Sequence, residues 1–184
     1  MQDELIPGIK SRPQYPPVSL NPHSRQQVFI AQEQAVAELQ PLYEHCTGGE
    51  KLWLPVVTSG VSTGDGAVSV SELPQKLAGL LMASSFYLAG TEAFMWDIAG
   101  ILADAGFVRE QIQMLPPVSA ERRVFCTHCY SVMEHVTFSP VTCTGCGRAL
   151  LVRDHFSRIH SAYVGVQINA EDPADLPDTA EELS

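Results

Sequence analysis

No run in this sequence approaches the roughly 20 consecutive apolar residues that cross a bilayer. The longest apolar stretch lies near Leu77–Leu88, and Ser84 and Ser85 interrupt it. The opening residues, MQDELIPGIK, lack the basic-then-apolar pattern of a secretory signal. From these two absences we expect a cytoplasmic protein with no membrane partner. The stretch TSGVSTGDG, Thr58–Gly66, is rich in glycine but lacks the G-K-[ST] ending of a phosphate-binding loop, so it reads as a plain turn. Basic residues are missing from residues 169–184, which carry six acids.

That last absence shapes the charge balance. Residues 1–118 stand at −6, residues 119–168 at +2 and the tail at −6, for a formal net charge of −10. The basic share falls on the segment richest in cysteine. The acidity of the whole opposes a surface that tracks phosphates, so nucleic acid is not an expected partner. A length of 184 residues with 45% apolar content suits one domain plus a small module.

Four of the five cysteines sit at Cys126, Cys129, Cys143 and Cys146, in the pattern C-x2-C, thirteen residues, C-x2-C. Two residues between cysteines let both thiolates of one tight turn face the same ion. A zinc ion wants four such ligands in a tetrahedron. Residues 130–142 are long enough for two short strands and a turn, which sets the second knuckle opposite the first. Gly145 and Gly147 suit a sharp turn with its N–H groups toward sulfur. The expected ligand set is Cys126, Cys129, Cys143 and Cys146 around a structural zinc. Tetrathiolate iron and two disulfides are the competing readings. A closed four-sulfur site leaves no position for substrate, so the metal is expected to hold a fold together rather than to catalyse.

The rest of the chain reads as follows. Residues 1–24 hold five prolines and form an extended arm, anchored by Tyr15 and Leu20. QVFIA, Gln27–Ala31, is a strand, and Ala35, Val36, Leu39, Leu42 and Tyr43 mark a helix that Pro41 kinks or restarts. Cys46 reads as a buried free thiol. Lys51–Val57 is a second strand, with Pro55 near its end or on an edge. Ser71 caps a helix running to about Met82. Phe86–Ala89, a helix capped by Thr91 with Phe94, Ile98, Ile101, Leu102 and Ala105 on its apolar face, Gly106, and a closing strand toward Leu115 form a β-α-β unit. Such a unit implies a parallel sheet. Leu150–Val152 and Ala162–Ile168 supply further strands. His155 and His160 find no third partner in the sequence, so structural or partner-contact roles are expected for them.

Two resemblances follow. YLAGTEAFMWDIAGILADAGFVREQIQML resembles the last β-α-β of the nucleotide-binding domain of ferredoxin–NADP reductases, without the Cys and Pro of their turn. SRPQYPP, VFCTHC, CTGCGRALLVRDHFSR, AYVGV and AEDPADLP together resemble the DmmA-like subunit family of bacterial dimethylamine monooxygenase. That resemblance implies an accessory subunit of an NADPH- and O2-dependent complex that converts dimethylamine to methylamine and formaldehyde. It implies partners in the reductase and catalytic subunits, which would carry NADPH, flavin, an iron–sulfur cluster and a catalytic iron. Electron transfer by iron at the four cysteines, and a zinc-ribbon adaptor for nucleic acid, are the alternatives. A nicotinamide site here is not expected, because QEQAVAE after the first strand has no glycine and places Glu33 where phosphate would lie.

The expected fold is α/β: a small parallel-sheet, reductase-like domain at 25–118, then a zinc-ribbon β module at 119–168. The arm at 1–24 precedes them and the acidic tail at 169–184, mobile or laid along a partner, follows. Arg153, His155, Phe156 and Arg158 are expected to give the ribbon a contact surface.

Overall fold

Two strands in the first half of the chain are apolar on both faces, which requires a sheet covered on both sides. In the computed structural model, described for residues 11–58, 67–168, 170–172, 177 and 179–184, those strands lie at the centre of a parallel sheet. The described residues fall into two compact units: Tyr15–Ser119, and residues 11–14 together with Ala120–Ser184. The glycine-rich segment read as a turn lies outside the described residues from position 59 to 66.

The first unit contains β1 (Gln26–Gln32), α1 (Val36–His45), β2 (Glu50–Val57), β3 (Val68–Ser69), α2 (Leu73–Leu77), β4 (Ser84–Ala89), α3 (Glu92–Asp104) and β5 (Ile112–Met114). The strand order is β3-β2-β1-β4-β5, parallel throughout. This is the order of a doubly wound half-sheet. Alternate residues of one strand serve opposite layers. Val28 and Ile30 join Phe86 and Leu88 in one core, against Phe94, Ile98 and Leu102 of α3. Phe29, Ala31, Tyr87 and Ala89 build the other, against Leu39 of α1. Cys46 is buried in this second layer as a free thiol. Each large side chain so buried contributes about 2 kcal/mol.

Several local details differ from the sequence reading. α1 runs through Pro41 without restarting. Pro41 and Ala37, the residue whose carbonyl a proline N–H cannot reach, are both exposed. At Pro55 β2 pairs only with β1, since β3 begins opposite Val56, so the proline sits where β2 is still an edge strand. Ser69, not Ser71, caps the short 3-10 turn Val70–Glu72 that leads into α2. The Ser69 N–H and hydroxyl both donate to the Glu72 carboxylate at 2.8 Å. The helix stops at Leu77 instead of Met82, ahead of Ala78-Gly79. Thr91 caps α3 as expected, with the Phe94 N–H donating to its Oγ1 at 3.3 Å. The apolar face of α3 is Phe94, Met95, Ile98, Ala99 and Leu102, whereas Ala105 is exposed.

The arm from Tyr15 onward packs on its own unit. The Tyr15 hydroxyl donates to Glu92 at 2.6 Å and accepts from Trp96 Nε1 at 3.2 Å. Gln113 bonds both the N–H and the carbonyl of Ser19, at 2.9 and 2.8 Å, which covers the β5 edge. Leu20 packs against the second core layer.

The second unit is a mixed β module of β6 (Arg122–Cys126), β7 (Val132–Val136), β8 (Phe138–Ser139), β9 (Val141–Thr142), β10 (Ala149–Ser157), β11 (Ala162–Gln167) and β12 (Glu181–Glu182). Its main sheet has the order β7-β6-β11-β10-β9. Two antiparallel hairpin-like pairs, β6·β7 and β9·β10, are joined by β11, which runs parallel to β6 and antiparallel to β10. The end of the acidic tail was expected to be mobile or on a partner. Instead β12 pairs with β8, and Arg12 and Arg122 donate to the Ser184 main-chain oxygen at 2.7 and 2.9 Å. No helix among the described residues is long and apolar enough to cross a membrane.

Candidate metal centre

Each C-x2-C turn closes with the same two backbone hydrogen bonds. In the first knuckle the Tyr130 N–H donates to the Cys126 carbonyl at 3.0 Å, and the Cys126 N–H to the Ser131 carbonyl at 2.9 Å. In the second, the Gly147 N–H donates to the Cys143 carbonyl at 2.9 Å, and the Cys143 N–H to the Arg148 carbonyl at 2.8 Å. The residue after each second cysteine takes a left-handed conformation, Tyr130 at φ +63° and Gly147 at +72°. Gly147 adopts it without a steric cost. Gly145 is needed for another reason: a Cβ there would lie 2.9 Å from the Ser131 Cβ and 3.1 Å from the Cys129 Sγ.

β6 delivers the first knuckle at its end, and β9 and β10 flank the second. The four sulfurs come together, all within 4.8 Å of one another. Cys126 and Cys146 Sγ are 3.9 Å apart, and Cys129 and Cys143 Sγ 3.6 Å. Four thiolates at about 2.3 Å from one ion form a tetrahedron with an edge of about 3.8 Å, so the spacing fits a tetrathiolate metal. All four cysteines are free, and their sulfurs lie well beyond the roughly 2.05 Å of a disulfide.

The thiols are not equivalent without an ion. Burial pushes Cys126 up to about 11, against the Cys129 and His128 N–H groups. Burial also acts on Cys143, but the Ser131 hydroxyl and the Cys146 and Gly145 N–H groups outweigh it and hold the thiol at about 6. The Ser131 hydroxyl and N–H lower Cys129 as well. Ser131 Oγ stands 2.9 Å from Cys129 Sγ and 3.3 Å from Cys143 Sγ, within reach to donate its one hydrogen to either. Sequence reasoning missed Ser131. Its only signal was a hydroxyl residue two positions after the second cysteine.

His155 and His160 stand apart from this cluster, which among the described residues contains cysteines alone. His155 Nδ1 meets Ser11 Oγ at 3.0 Å, and the His160 ring stacks on Phe125 at 4.0 Å. Asp154 accepts from Arg12 at 2.6 Å and from Arg122 at 3.1 Å. Burial works against its carboxylate, but the two guanidiniums, Arg12 foremost, hold it below the usual range. Phe156, expected on a contact surface, is buried edge-on against Tyr163.

Residues 123–166 match the family described as the dimethylamine monooxygenase subunit DmmA-like C-terminal domain. The chain is also similar to a delta subunit of a heme-dependent oxidative N-demethylase from Ectopseudomonas mendocina (strain ymp). The two are 38% identical over 86 residues, 47% of this chain and 49% of that protein. The match thus spans about half the length of this relative. No solved structure matches the chain.

Proposed function

We propose, from the premise that its cysteine module is of the DmmA-like family, that this chain is an accessory subunit of an oxidative N-demethylase. The reaction in this reading is the conversion of dimethylamine to methylamine and formaldehyde with NADPH and O2. NADPH, flavin, the iron–sulfur cluster and the catalytic iron reside on the reductase and catalytic subunits. The name of the relative makes haem the natural form of that iron. One observation carries the reading: the similarity to an N-demethylase delta subunit.

The metal in this reading is zinc, held by Cys126, Cys129, Cys143 and Cys146. It supplies no chemistry beyond cross-linking four points of the chain, since four protein ligands leave no open position. The sulfur spacing supports a tetrathiolate ion, and the two matching knuckles support one shared by both turns.

The first unit is, in this reading, a reductase-type sheet that no longer takes a dinucleotide. In doubly wound sheets the ligand lies where the strand order reverses, beyond the ends of the strands that here are β1 and β4. Two features support loss of that site. The Gln32 Oε1 at the end of β1 accepts the Thr91 N–H at the end of β4, at 2.8 Å. Glu92, buried in the first turn of α3, sets a carboxylate where a phosphate would otherwise find the positive helix end.

The test is reconstitution with the other demethylase subunits. We expect co-purification with them, about one zinc per chain, no visible absorption from this chain alone, and turnover that falls when it is omitted. A chain that is coloured by iron, or that leaves turnover unchanged on omission, overturns the proposal.

A further inference from the structure

The tail of the chain is held by its backbone. β12 pairs with β8 in antiparallel register, Glu181 opposite Ser139 and Glu182 opposite Phe138. The Leu183 N–H donates to the Thr137 carbonyl at 2.8 Å. The Ser184 main-chain oxygen accepts from Arg12 at 2.7 Å and from Arg122 at 2.9 Å. Each of these contacts uses a main-chain atom of the tail, which an extended segment of another sequence also offers. The side chains of Glu181 and Glu182 stay exposed.

The seat beneath the tail has features that the tail itself does not use. Among the described residues β8 has β12 as its sole ladder partner, so the tail covers an otherwise open strand edge. Beside it, within the same unit, lies a cavity of about 900 Å3. Arg12, Arg122, Arg153 and Asp154 line this cavity, a balance of +2 with His155 neutral, and Glu181 and Glu182 are the acids that the tail brings to it. Asp154 holds both Arg12 and Arg122 in place, and Arg122 is only 5% exposed, so the anion end of the groove is set before anything binds. The tail matches the charge of this groove but not its apolar part. Phe138, opposite Glu182, is 49% exposed with the tail seated. Directly opposed residues of an antiparallel pair share a face, and a carboxylate gives the ring little to pack on.

We propose that the β8 edge and the Arg12–Arg122 pair form a groove for an extended acidic segment of another protein, with an apolar residue opposite Phe138. The chain's own tail fills this groove in cis and gates it. A tethered tail competes at an effective concentration of about millimolar order. A segment in trans therefore binds with an affinity reduced by the fraction of chains whose tail is open. Cover for Phe138 is what the foreign segment adds and the tail lacks. The inference goes beyond the accessory-subunit reading, and peptide binding and turnover are separate readouts, so either can fail alone.

The experiment titrates the full chain with a synthetic peptide of residues 179–184, and with the same peptide carrying Glu182→Leu, followed by amide NMR. Leu183→Pro removes the N–H that bonds Thr137 and should open the tail, seen as lost exchange protection at the β12 amides. We expect the peptide to bind Leu183→Pro at least about tenfold more tightly than wild type, with shifts centred on Phe138 and Ser139. The Glu182→Leu peptide should bind about threefold more tightly than the native one. Adding Arg12→Ala to Leu183→Pro should remove the binding, and Arg12 is 35% exposed, so this change spares the core. A peptide that binds Leu183→Pro no better than wild type, or that binds equally without Arg12, overturns the proposal. So does a tail that stays protected in Leu183→Pro. If sedimentation shows that the full chain dimerises and Leu183→Pro abolishes it, the occupant is the tail of a second copy, and the proposal is likewise overturned.

Discussion

The two units of this chain solve the problem of stability differently. Tyr15–Ser119 covers a parallel sheet with helices on both faces and buries a long series of large apolar side chains, from Val28 through Leu102. The cysteine module has a thinner core, Val124, Met133, Leu150, Val152, Phe156 and Tyr163 among its buried members, spread over short strands. It adds two polar clasps. One is the sulfur cluster, and the other is Asp154 with Arg12, Arg122 and the returning Ser184 oxygen. A wide sheet can be held by apolar burial alone, whereas a small module needs cross-links.

That contrast is broken most sharply at the metal. Cys143→Ser should release the ion and unfold the module, because binding energies of about 10–16 kcal/mol at such sites are largely folding energy. Circular dichroism and metal analysis should show the second unit lost and the first intact. Retention of metal would show that Cys143 is not a ligand.

Leu88→Ala tests the other half. Leu88 is fully buried in β4, and its truncation should cost about 2–5 kcal/mol. Denaturant melts should place this loss in the first unit and leave metal content unchanged.

Asp154→Asn probes the second clasp, at an expected cost of about 1–3 kcal/mol, since Arg122 is only 5% exposed and loses its charged partner. The pH dependence has a definite sign. The folded carboxyl is held below its ordinary value, so its contribution is complete above about pH 4 and is lost as pH falls through the folded value. The stability gap between wild type and Asp154→Asn should therefore close below about pH 4. A gap that is constant with pH would show that the charge is not what Asp154 supplies.

The smallest effect is expected at Thr91→Ala. Losing the Thr91 Oγ1 bond to the Phe94 N–H should cost about 1 kcal/mol, measurable as a lower melting midpoint of the first unit alone.

What could be read from the sequence follows the range of the interactions. Spacing placed the cysteines, because two residues between thiols is a local geometric requirement. The β4–α3–β5 unit was equally legible, through the Thr91 cap, the apolar period of α3 and Gly106, which ends the helix at φ +95°. The docking of the tail on β8 was not, since nothing local in Glu181–Leu183 names a partner about forty residues away. Nor was the parallel pairing of β11 with β6 that ties the two knuckle-bearing pairs together. The cap ahead of α2 was misplaced by two residues because Ser71 and Ser69, which caps the 3-10 turn leading into that helix, are alike in sequence. Only the reach of the Glu72 carboxylate back to the Ser69 N–H distinguishes them. Phe156 was misjudged as a contact residue because alternation along β10 gives no hint of which face is covered.

Hydrogen–deuterium exchange on the full chain, before and after removal of metal by a chelator, tests the central claim most directly. The account predicts that amides of β6, β7 and both knuckles lose protection when the ion leaves, while those of β1 and β4 keep theirs. Unchanged protection in the cysteine module after its metal has gone, or equal loss in both units, would contradict it.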